Sequence, residues 1–108
     1  MGDQNSSSTE GNSRKEAISG LLTSKLTNDT VIPQSQGGDL HKSDNPLSKH
    51  HTAYWGMRAD YVLPSTFGFD VIDNGVFWPH TTQETYRLIK DRNASSDHRL
   101  VWSHLKIK

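Results

Sequence analysis

At 108 residues the chain holds at most one domain, and 12 basic residues balance 12 acidic ones. That balance excludes a strongly basic nucleic-acid binder or a membrane-surface binder held by a global field, though not a nuclease whose metal supplies the positive charge. The absence of cysteine excludes disulfides, thiolate chemistry and Cys-type zinc sites.

No stretch approaches the roughly 20 apolar residues of a membrane span, and no signal peptide opens the chain. Leu, Ile, Val and Phe supply 22 of the 108 residues, close to the roughly 20% below which chains struggle to fold. They concentrate in 17–32 and 61–107, so the expected core is thin.

Met1-Gly2-Asp3-Gln4-Asn5-Ser6 reads either as a loose myristoylation pattern or as a Gly-Asp-x-Asn loop following a strand. Ser6 to Asn12 is polar and aperiodic, and reads as a mobile surface loop. Ser13-Arg14-Lys15-Glu16 is a capping box. Ile18, Leu21 and Leu22 follow at helical spacing, which predicts a helix over about 14–25 packed on a sheet.

Val31-Ile32-Pro33 suggests a short edge element. Residues 34–53, rich in Gly, Ser, Asp and Asn at the start, are expected to form a long loop. His41, His50 and His51 fall in it and read as solvated histidines, since no carboxylate stands at ligand spacing.

Thr52 to Trp55 adds aromatic surface. Arg58-Ala59-Asp60-Tyr61-Val62-Leu63 is a strand that Pro64 ends, and it carries a carboxylate whose burial needs a charge partner. Asp73-Asn74-Gly75 lies between Val71-Ile72 and Val76-Phe77-Trp78, where Asn-Gly is a hairpin signal and a bend within one strand is the alternative. Thr81-Thr82-Gln83-Glu84 is a second capping box, with one or two helical turns after it. Asp97-His98 then precedes Leu100-Val101-Trp102, which reads as a strand covered on both faces. His98 is the obvious partner of Asp60; Arg58 and Arg99 are the others. Three Asn-x-Ser/Thr triplets, at Asn5, Asn28 and Asn93, match the glycosylation pattern by no more than chance.

Gly2-Asp3-Gln4-Asn5, Arg58 to Leu63 and Ser96-Asp97-His98, in that order, resemble three signature motifs of the endonuclease/exonuclease/phosphatase superfamily. The text around them is similar to a bacterial branch of it, and the resemblance covers the second half of the family's domain. It implies an α+β chain: the C-terminal half of a four-layer α/β sandwich, mostly antiparallel strands with one or two covering helices. Met1 would then stand where a strand should be ending.

The resemblance also implies chemistry. Asp3 would orient or deprotonate an attacking water and also ligate metal, while Asn5 would face phosphate or metal. Asp97 would bind the cation, Mg2+ or Mn2+, directly or through water. His98, oriented by Asp60, would donate to the scissile phosphate. The implied partners are a phosphoester substrate, nucleic acid among the options, and a complementing N-terminal half with a metal-binding Glu. Without that half the chain is expected to be inactive alone, and relatives of this type suggest an exported hydrolase. Plainer readings stand beside these: Asp3 and Asn5 suit an ordinary turn, and Asp97 suits a cap. The alternative overall is a small non-catalytic α+β interaction module.

Overall fold

The computed structural model describes residues 1–108. The chain is α+β, with two small antiparallel sheets and two short α-helices. Strands β1 (Gly2–Asp3) and β2 (Asp60–Tyr61) form the first sheet, in a register that sets Asp3 directly opposite Asp60. The Gln4 amide donates to the Ala59 carbonyl at 2.8 Å and extends this pairing by one bond. Strands β3 (Phe69–Phe77) and β4 (Leu100–Ile107) form the second.

The asparagine–glycine pair makes no hairpin. Asp73, Asn74 and Gly75 pair along β4 with His104, Ser103 and Trp102, so β3 is one strand, with its irregularity between Val71 and Asp73. Gly75 is required where it stands, because a Cβ there would lie 2.9 Å from the Trp102 ring.

β4 also departs from expectation. Leu100, Val101 and Trp102 are not covered on both faces: Leu100 is 67% and Trp102 39% exposed. Val101, Ser103 and Leu105 turn inward at alternate positions, while Leu100, Trp102, His104 and Lys106 turn outward. A strand buried on one side only shows this period, whatever the apolar content of its outer face.

Helix α1 (Lys15–Thr23) is shorter than the spacing predicts, and Ser13 does not cap it. The Ser13 hydroxyl instead bonds that of Ser6 at 2.7 Å, and Arg14 occupies the cap position. Of its apolar face only Ile18 is buried, and Leu21 is exposed. The expected loop over 34–53 contains helix α2 (Gln36–His41) and a 3-10 turn at Ser48–His50. Two glycines make α2 a poor helix on propensity. Ser35 caps it by accepting from the Gly38 amide at 3.0 Å, and the Gly37 amide donates to the Trp78 carbonyl at 3.0 Å. Val31-Ile32 joins no strand; the Asn74 side-chain Nδ2 of β3 donates to the Val31 carbonyl at 2.7 Å. The second capping box is likewise unused, and a 3-10 turn runs from Glu84 to Leu88.

The core is thin, as composition requires. One cluster joins Ala53, Met57 and Ala59, and a second joins Val76, Trp78 and Ile89. The largest fully buried side chains are polar ones, His51, Thr52 and Ser48, so hydrogen bonding carries much of the interior order. The three histidines expected in solvent are all engaged. His51 is fully buried with Nε2 2.9 Å from Glu10, His50 Nδ1 lies 2.9 Å from the Pro33 carbonyl, and His41 Nε2 lies 2.9 Å from the Tyr54 carbonyl. Glu10 belongs to the segment expected to be a loose loop, where Ser7 is also buried and accepts from the Thr9 and Glu10 amides.

Candidate active site

The β1–β2 register fixes the site. Residues directly opposite in an antiparallel pair share a face, and like charges there repel. Asp3 and Asp60 are such a pair, so this corner of the sheet needs positive charge.

His98 supplies one source of it. Its Nδ1 lies 2.9 and 3.1 Å from the two Asp60 oxygens, and its Nε2 lies 3.9 Å from Asp3. The second distance is too long for a direct hydrogen bond but within reach of an ion pair. Asp3, Asp60 and His98 together offer one ligand atom each within 4.8 Å of one another. The other candidate partners of Asp60 are spent elsewhere. Arg58 makes a two-pronged pair with Asp29 at 2.7 and 3.1 Å, and Arg99 lies over the Trp78 ring at 4.8 Å.

The Asp60 hydrogen bond is the largest influence on His98 and raises its pKa above the ordinary 6.5. Partial burial opposes this, and the charges of Asp60, Asp3 and Asp97 reinforce it. The ring also meets Trp55 edge-on, centroid to centroid at 5.0 Å.

Asp3 is aimed by a local turn. One of its oxygens, Oδ1, accepts from the Asn5 amide at 2.8 Å, leaving Oδ2 as the atom nearest His98. The turn needs Asn5 at φ 45°, a left-handed conformation that asparagine tolerates better than most residues. Asp97 lies outside the three-residue group: its carboxylate is 3.2 Å from Arg92 Nη2, and its carbonyl accepts from the Tyr54 amide at 2.9 Å. The structure therefore brings Asp3, Asp60 and His98 together, with Asn5 shaping the turn and Asp97 one residue from the ring.

Thr52 is the residue that sequence reasoning missed. Only 1% exposed, it donates from its hydroxyl to Asp60 Oδ2 at 2.7 Å. The Thr52 hydroxyl oxygen in turn accepts from the Ala59 and Asp60 amides at 2.9 and 3.0 Å. Its carbonyl accepts from the Arg99 amide, and the next residue, Ala53, bridges to His98. Replacing Thr52 with Val keeps the shape and strands two amides, at an expected cost of about 1–3 kcal/mol in denaturant unfolding. Thr52→Ser, which retains the hydroxyl, is expected to recover most of that; equal losses in both variants would show that the methyl matters instead.

A sequence model described as the endonuclease/exonuclease/phosphatase family matches residues 1–98, nine-tenths of the chain. The chain belongs to that family. No curated protein and no solved structure matches it. The family match spans every candidate site residue, from Asp3 to His98. Members of this endonuclease/exonuclease/phosphatase family typically depend on a divalent metal. The donor set here fits one: carboxylate oxygens suit a hard cation, and two facing carboxylates with a single imidazole between them leave negative charge to neutralise. No helix is long and apolar enough to cross a membrane.

Proposed function

We propose that Asp3, Asp60 and His98 form part of a phosphoester-hydrolysing centre that works with Mg2+ or Mn2+. The observation that carries this is the pairing of His98 Nδ1 with Asp60 beside the facing carboxylate of Asp3. With Nδ1 held, Nε2 is the ring atom left to donate to a phosphate oxygen, and the upward shift of the His98 pKa by the Asp60 hydrogen bond favours the protonated form that does so. Asp60 holds the ring orientation and balances its charge. Asp3 orients an attacking water or takes its proton, while Asn5 presents its amide to the phosphate. Asp3, Asn5 and Asp97 would hold the cation, which supplies positive charge against the phosphate oxygens.

The substrate class in this reading is a phosphodiester or phosphomonoester, with nucleic acid among the options. The reading also includes a complementing N-terminal half that carries a metal-binding glutamate. The exposed outer face of the second sheet, with Leu100 and Trp102, supports it, since such a surface calls for cover.

The test is an assay of the 108-residue chain with Mg2+ and with Mn2+ on nucleic-acid, phosphodiester and phosphomonoester substrates, alone and with an N-terminal half from a family member. No turnover alone and metal-dependent turnover on complementation is the expected result. Turnover by the chain alone that survives His98→Ala would overturn the site, and turnover alone that is lost in His98→Ala would show the N-terminal half to be dispensable.

A further inference from the structure

A cavity lies between α2, the turns that follow β3 and the residue that leads into β4. Its volume is about 270 Å3, and His41, Tyr54, Trp78 and Tyr86 give it aromatic walls. His41 stands 4.7 Å from the Tyr54 ring and 4.9 Å from that of Trp78, centroid to centroid. Neither Asp3, Asp60 nor His98 lines it.

The charge of this cavity is one-sided. Arg99 and Lys90 line it, and no Asp or Glu does. Arg99 is 93% buried by its 7% exposure, yet no carboxylate pairs with it. Its Nη1 donates to the Ser96 carbonyl at 2.6 Å and its Nη2 to the Ile89 carbonyl at 3.4 Å, while Nε has no partner. The Trp78 face at 4.8 Å returns only part of what burying a guanidinium costs. Lys90 is exposed and lines the same cavity.

We infer that this cavity binds an oxyanion borne on a planar ring, with the ring against the aromatic walls and the anion at Arg99 and Lys90. A lone inorganic anion would leave the apolar walls wet, and a neutral ring would leave the buried cation uncompensated. The inference stands independently of the hydrolytic reading, because the two sites share none of their side chains.

Phenylphosphonate, which has a ring, an anion and no phosphoester bond, is the probe, titrated in EDTA against the indole N–H resonance of Trp78. A saturable shift is expected. Lys90→Glu should weaken it about fivefold, the size of one exposed charge contact reversed. Inorganic phosphate and phenol, each carrying half of the probe, should bind more weakly than phenylphosphonate. His98→Ala should leave the titration unchanged. The proposal is overturned by the absence of a saturable shift, by phosphate or phenol binding as well as the probe, by indifference to Lys90→Glu, or by loss of the shift in His98→Ala, which would put the probe at the hydrolytic centre.

Discussion

Replacing His98 with alanine is expected to lower phosphoester turnover by ~10²- to 10⁴-fold in the complemented domain, the usual weight of a positioned proton donor. The ring is held at one nitrogen by Asp60 and walled on one side by Trp55, so the other nitrogen has a single direction to face. Its contribution grows as charge develops on the phosphate, so kcat should fall while KM changes little. The ring is partly exposed, and the fold should tolerate its loss. Unchanged kcat in His98→Ala would remove the histidine from the mechanism and leave the two carboxylates without an acid.

Asp60→Asn should act on the same ring by a different route. The hydrogen bond to Asp60 leads the influences that raise His98 above 6.5. A group whose folded pKa lies above its unfolded one adds stability that is complete below the unfolded value, near 6.5, and fades as pH rises through the folded value. The native chain should therefore lose this increment as pH climbs above about 6.5. In Asp60→Asn the histidine should titrate at lower pH, and this loss with rising pH should flatten. Nuclear magnetic resonance titration of the His98 ring in EDTA, with denaturation midpoints across the same pH range, reads both. A His98 titration that does not move in the variant would mean that Asp3 and Asp97, not Asp60, hold its proton.

What could be read in advance was whatever carried a cost in local terms. An acid inside the run Arg58–Leu63 demands a partner, and although only Asp60–Tyr61 of the expected strand forms, Asp60 found the predicted one in His98. The thin core followed from composition alone. Contacts made across long sequence separations left no local trace: Glu10 meets His51 41 residues away, and nothing near either residue announces the other. Thr52 was hidden for a related reason, since a threonine in an apolar run looks the same whether its hydroxyl is idle or holds a carboxylate. Helix α2 escaped because its glycines oppose helix, and its order comes from Ser35 and the Trp78 backbone. The run Leu100 to Trp102 states that a strand is apolar, but not how many of its faces are covered.

Thr52 has one further consequence. Its hydroxyl pins the strand bearing Asp60, and its carbonyl pins the chain just after His98, so a single residue rivets both halves of the acid–imidazole pair. Neither half can drift without loosening the other. Local opening of this corner is then expected to be cooperative, with the amides of Ala59, Asp60 and Arg99 exchanging with solvent at a common rate.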